Sequence, residues 1–292
     1  MTKADRGVRL EGAPEPHKMI PASDGVHIAA DIYGDTGPLV ILQHGGGQTR
    51  HAWKGAGQKL AAAGYQAVSL DARGHGDSDW APDGDYSNEA LVEDLVAVVD
   101  NLGQRPILVG ASMGGGTSLT AVGEERVDAK ALVLVDTAPR IEAGGVRKIR
   151  DFMGQAPDGF SSLEEVADAI SNYQPHRKRP RSLDGLAKNV RLWPDGRYRW
   201  HWDPEFMRRK RSLADRIPRQ EDAARNVKCP SLLVRGGLSD VLSEEGAQAY
   251  LELVPHSEYS NVGEAAHMVA GDRNDIFVSA VLNFLSNIAP AN

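Results

Sequence analysis

Short, uninterrupted apolar runs recur between segments of helical period, and this alternation constrains the chain more than any other feature. Pro38-Leu-Val-Ile-Leu-Gln43 ends at His44-Gly45-Gly46-Gly47, and Gln66–Leu70 leads into Asp71-Ala-Arg-Gly-His-Gly-Asp-Ser78. Further runs cover Pro106–Gly110, Ala131–Val135 and Ser231–Arg235, and Glu258–Val262 reads as a short strand. Continuous apolar runs suit parallel strands covered on both faces, because neither face meets water. Between them the period changes. Leu91, Leu95, Val98, Val99 and Leu102 share one face of a segment about Asn88–Leu102, which predicts a helix there. Helices are likewise expected over about Trp53–Ala63 (closed by Gly64), directly after Ser112, over Glu244–Leu253 and over Asp275–Ile288. Two earlier runs, Met19–Ala22 and Val26–Tyr33, meet at Ser23-Asp24-Gly25, a hairpin signal. The expectation is an α/β fold, a mostly parallel sheet with helices on both faces and an antiparallel edge.

Alternation lapses between about Pro139 and Asn226, where no buried strand is evident and Arg, Lys and Trp abound. That stretch reads as an insertion over the sheet. Residues 1–16, polar with two prolines, read as a flexible tail. The expected organisation is therefore a tail over 1–16, a core over 17–138 plus 226–292, and a cap over 139–225. With 33 basic and 40 acidic residues the net charge is −7, which argues against nucleic acid as a partner. The single cysteine, Cys229, cannot form an internal disulfide and fits a reducing, cytoplasmic setting. No run approaches the ~18 apolar residues of a transmembrane helix, so no membrane association is expected.

Chemistry concentrates at Gly110-Ala-Ser-Met-Gly114, a G-x-S-x-G pattern between a strand and a helix. Such a turn exposes a serine hydroxyl, and small neighbours let the backbone fold tightly. The Gly45-Gly46 loop can present a backbone N–H, with Gly46 and Met113 as the expected oxyanion donors. A hydroxyl nucleophile needs a base and the base an orienting acid. His267, directly after the last short strand, is the expected base; His256 and His201 are worse placed. Asp240, following the Ser231–Arg235 run, is preferred as the acid, with Asp136 at the end of the preceding strand as the alternative. No metal-ligand spacing and no dinucleotide-binding glycine pattern occurs, so neither metal nor cofactor is expected.

His44-Gly-Gly46, Asp71–Ser78 with its Arg-Gly-His-Gly-x-Ser core, Gly110–Gly114, Arg235–Asp240 and His267 together resemble the α/β-hydrolase superfamily over nearly the whole chain. They resemble most the branch of epoxide hydrolases, haloalkane dehalogenases, carbon–carbon bond hydrolases and small carboxylesterases. The resemblance implies an eight-stranded sheet and a helical cap. Alkyl-transferring members place an aspartate where Ser112 stands, so acyl transfer is implied: a serine esterase acting on a small ester, thioester or lactone. Carbon–carbon cleavage of ring-cleavage-type dienone acids is the alternative, weakened by Ala111 where those enzymes have asparagine. A non-catalytic receptor of the same fold is the third reading. Trp53, His44, Trp193 and Trp200 are the expected substrate contacts, and Arg177, in the basic run His176–Arg181, a contact for an anionic group. A monomer or homodimer fits equally.

Overall fold

The computed structural model describes residues 6–175, 183–208 and 213–291. Eleven strands and ten α-helices follow in order among those residues. They begin β1 (Val8–Arg9), β2 (Lys18–Pro21), β3 (His27–Tyr33), β4 (Leu39–Gln43), α1 (Lys54–Ala62), β5 (Gln66–Leu70) and α2 (Asn88–Leu102). Next come β6 (Ile107–Ala111), α3 (Met113–Gly123), β7 (Ala131–Val135), α4 (Ala143–Met153), α5 (Leu163–Tyr173), β8 (Val190–Leu192) and β9 (Tyr198–Trp200). The chain closes with α6 (Pro204–Arg208), α7 (Leu213–Arg225), β10 (Ser231–Gly236), α8 (Glu244–Leu253), β11 (Glu258–Val262), α9 (Val269–Asp272) and α10 (Asn274–Ile288).

Eight strands form one sheet in the order β11-β10-β7-β6-β4-β5-β3-β2. β2 and β3 are antiparallel, β3 is antiparallel to β5, and the other pairings are parallel. Alternate residues of one strand feed two different cores, as a period of two requires. Leu39 and Ile41 of β4 join α2, α3 and α8 side chains such as Leu95, Leu119 and Tyr250. Val40 and Leu42 join Leu60 of α1 and Phe277, Val281 and Leu285 of α10. The central strands β4, β6, β7 and β10 are thus buried on both sides, which is why those runs read as continuous. α2 begins at the Ser87 cap, whose hydroxyl accepts from Ala90 N–H, and ends at Gly103 in the left-handed region.

Two organisational expectations change. Val8–Arg9 is not an untethered tail: it pairs antiparallel with β8, which pairs with β9, and the three make a small second sheet. The insertion is therefore not wholly helical. α7, expected within the cap, lies against the core instead. Arg219 pairs with Glu124, Gln220 donates to Gly116 O, and Ala223 and Ala224 join the α3 side of the core. The cap has its own apolar cluster, with Met153, Phe160, Val166, Trp200, Trp202 and Phe206 buried together. It sits over the carboxyl ends of the parallel strands, where α/β sheets place their sites.

Candidate active site

β6 ends at Ala111 and α3 begins at Met113, so Ser112 alone makes the connection, with φ 48° and ψ −110°. A residue other than glycine holds such a backbone only where its surroundings over-determine it. Here they do. Ser112 N–H donates to Val135 O at 3.2 Å, Ser112 O accepts from Gly116 N–H at 2.9 Å, and Gly114 N–H donates to His44 O at 3.2 Å. The flanking glycines are required by close approach. A Cβ on Gly110 would lie 2.5 Å from Gly114 backbone, and one on Gly114 would lie 2.6 Å from Gln43 Cβ.

His267 follows β11 and points Nδ1 at Asp136 Oδ2, 2.6 Å away. Asp136 directly follows β7, also has a positive φ of 50°, and is fully buried. Its carboxylate further accepts from Gly236 N–H at 2.8 Å and from the Ser239 hydroxyl. Because an ionised carboxylate only accepts, His267 Nδ1 is the donor, and Nε2 is left for the serine side. Ser112 and His267 border one cavity without a direct hydrogen bond, a contact that is often long before substrate binds.

Asp240, the acid preferred from the sequence, does not reach His267. Its side chain is 48% exposed and pairs with Lys148 Nζ at 2.6 Å. The loop after β10 turns Gly236 N–H and Ser239 Oγ, rather than its own carboxylate, towards the histidine's partner. It holds the Asp136 carboxylate instead of reaching His267 itself.

In the loop after β4, Gly45 N–H donates to Gln48 Oε1 at 3.0 Å and Gly47 N–H to His75 Nε2 at 3.2 Å. Gly46 N–H, between them, has no acceptor among the described residues. Met113 N–H opens α3 and, as a first-turn donor, has no partner within the helix. A Cβ on Gly45 would lie 3.2 Å from Ser112 Cβ, so this loop rests directly against the serine. Two uncommitted N–H groups therefore flank Ser112.

The cavity measures about 430 Å³ and lies between the strand ends and the cap. Of the expected contacts, Trp53 and Trp200 line it. Trp200 stacks on Trp202 at 5.1 Å and meets Phe152 at 5.1 Å, so cap aromatics form its far wall. His44 does not reach it. Its Nε2 accepts from Ala72 N–H at 3.0 Å, its Nδ1 donates to Gly45 O at 2.8 Å, and burial pushes its pKa down. Trp193 is also elsewhere, under the Arg199 guanidinium at 4.6 Å and against Gly7 of the N-terminal segment. Arg177 lies outside the described residues. Phe152, Tyr173 and Lys188 line the cavity and were not singled out from the sequence. The amphipathic spacing of the insertion's helices was the signal available for the first two. Burial, helped by the Asp240 charge, pushes the Tyr173 hydroxyl up to about 12.

Behind the glycine loop, charged and imidazole side chains tie the layers together. Buried Arg50 pairs with Asp31, Asp71 and Asp77, and Asp77 also holds Arg191 of β8 and Arg9 of β1. His75 lies between His44 and His201, ring centres 5.3 Å and 5.8 Å away. His201, from the cap, accepts from Gly76 N–H at 2.8 Å, and burial holds its pKa well below the usual histidine value. Among the described residues no group of three or more His, Cys, Asp and Glu side chains converges as a metal site. None of the described helices is long and apolar enough to cross a membrane.

Residues 38–273 match the family model for the alpha/beta hydrolase fold. An esterase of Mycobacterium tuberculosis is 28% identical over 267 residues, covering 88% of this chain and 86% of that protein. Its crystal structure superposes with a TM-score of 0.74 at 26% identity, covering 94% and 93% of the two chains. A mouse sn-1-specific diacylglycerol lipase is 24% identical, covering 85% of this chain and 81% of that one. The crystal structure of an E-2-(acetamidomethylene)succinate hydrolase shares the fold with a TM-score of 0.80 at 23% identity, covering 92% and 98%.

Proposed function

The chain belongs to the alpha/beta hydrolase fold family, and on that premise we propose that it is a serine hydrolase cleaving a carboxylic ester, thioester or lactone. The hydrogen bond of 2.6 Å from His267 Nδ1 to Asp136, beside the strained Ser112 turn, carries this reading. Ser112 Oγ attacks the acyl carbon while its proton passes to His267 Nε2. The carbonyl oxygen becomes an oxyanion that Gly46 and Met113 N–H groups stabilise, aided by the N-terminus of α3. As the carbonyl re-forms, the bond to the leaving oxygen or sulfur breaks and that atom takes the proton from His267. Water, deprotonated by His267, then attacks the acyl-enzyme; the carboxylic acid departs and Ser112 regains its proton. Asp136 fixes the imidazole tautomer and stabilises the imidazolium without being protonated. Serine rather than aspartate at the nucleophile position supports acyl over alkyl transfer, because alkylating a serine oxygen would leave an inert ether, whereas acylating it gives an ester that water can cleave.

A fluorophosphonate probe tests the reading. Wild-type protein is expected to form a covalent adduct on Ser112 and to hydrolyse short para-nitrophenyl esters, with both properties absent in Ser112→Ala. A folded wild type that neither labels nor hydrolyses would overturn it.

A further inference from the structure

Among the described residues, Lys188 is the single lysine or arginine lining the cavity, and no carboxylate lines it. Its side chain is partly buried and makes no ion pair with the described residues. A cation withdrawn from water without a partner is costly, and proteins seldom retain one for packing alone. Burial and the nearby Lys54 charge push its pKa below the ordinary lysine value, and its charge is in turn felt at His51. Among the described residues lining the cavity, no carboxylate offsets the Lys188 charge.

The cavity's other groups agree. Trp53 and Trp200, both lining it, are neutral, and their indole N–H groups are buried. The Tyr173 hydroxyl stays protonated because burial pushes it up to about 12, so it remains able to donate. The Asp136 carboxylate is fully buried and already accepts from His267, Gly236 and Ser239, and Asp240, whose charge reaches Tyr173, is paired with Lys148. Among the described residues lining this space, an anion meets the Tyr173 hydroxyl and the Lys188 cation, and no carboxylate.

We infer that the substrate carries a second, unesterified carboxylate seated on Lys188, so that the enzyme acts on monoesters of dicarboxylic acids or on esters with an acidic alcohol part. This rests on the serine-hydrolase reading and narrows it. Lys188 acts as a specificity-determining residue, and the aromatic wall of Trp200 and Trp202 covers the chain between the two ends of the substrate.

Paired esters test the inference. Para-nitrophenyl hydrogen glutarate, with its methyl diester as neutral control, places the carboxylate on the acyl side. Para-butyryloxybenzoate, with its methyl ester, places it on the leaving side. For at least one pair, the wild-type acid-to-neutral ratio of kcat/KM should exceed one. That ratio should fall at least about tenfold in Lys188→Met and largely return in Lys188→Arg. Glutarate should also protect Ser112 from the fluorophosphonate in wild type better than glutaramide does, a readout that needs no turnover and no variant. Ratios that Lys188→Met leaves unchanged overturn the inference, as does equal protection by glutarate and glutaramide. Failure of wild type to label at all strikes the serine-hydrolase reading instead, so the two failures are distinguishable.

Discussion

Asp136 is held on three sides: by a backbone N–H from Gly236, a hydroxyl from Ser239 and the imidazole of His267. A fully buried carboxylate with all its donors in place is fit to keep an imidazole in one tautomer. Asn at this position preserves the shape and can reverse the hydrogen bond, leaving Nε2 protonated and unable to accept. Asp136→Asn is therefore expected to lower kcat for a short ester by about four orders of magnitude. Asp240→Asn, which loses only an exposed pair with Lys148, is expected to leave kcat within about twofold. Steady-state kinetics on the two variants side by side decide it; the reverse order would return the role to Asp240. The comparison also marks what was legible at this scale. Ser112 and His267, which line one cavity, could be proposed from a motif and from chain order, since a serine mechanism needs both. The acid could not, because Asp136 and Asp240 each follow a strand that ends on the same side of the sheet. What separates them is tertiary: a positive φ at Asp136 and the direction in which Ser239 points. His44 misled for a related reason. Its neighbours build the loop against Ser112, while its own ring braces that loop from behind.

Among elements, the parallel strands and their helices were legible because burial on both faces writes itself as unbroken apolar runs. Gln66–Leu70 and Ala131–Val135 begin and end where the sequence places them, as does the polar edge strand Glu258–Val262. The small sheet was not legible, since β1 has two residues and β8 and β9 three each, too few to show a period. α7 was missed because a polar helix following the insertion carries no mark of which layer it joins. Asp77 ties these elements, holding Arg9 of β1 at 3.1 Å and Arg50 and Arg191 of β8 at 2.8 Å. Removing its charge leaves Arg191 buried with only the Val190 and Gly76 carbonyls and no carboxylate, while Arg50 retains two other aspartates. Asp77→Asn is expected to cost about 3 kcal/mol, the lower end for breaking a buried pair. The urea midpoint should fall with its slope unchanged. A shift within error of zero would show that the junction of β1, the cap and the core does not depend on this carboxylate.

At the scale of the molecule, the cap and the core meet through neutral imidazoles, and this sets a pH limit on the fold. His44 Nε2 accepts from Ala72 N–H, and cap-borne His201 Nδ1 accepts from Gly76 N–H, so protonating either ring breaks a backbone hydrogen bond and buries a charge. Burial is accordingly the leading cause of both depressed pKa values. A histidine whose folded pKa lies below its unfolded value of 6.5 binds fewer protons in the native state, so stability rises with pH through that interval. Its contribution is complete above pH 6.5 and is lost progressively as pH falls below it. Each such group steepens the loss by up to about 1.4 kcal/mol per pH unit, and two acting together approach twice that. Most surface carboxylates titrate below about pH 5, which leaves the interval from 6.5 to 5 to the histidines. Urea midpoints at constant ionic strength should therefore drop steadily across that interval. The decline should be shallower in His201→Gln, which has an amide oxygen to accept from Gly76 N–H and no titrating group. A flat profile in wild type, or an equal slope in the variant, would mean that the junction tolerates the charged ring and that acid acts elsewhere on the fold.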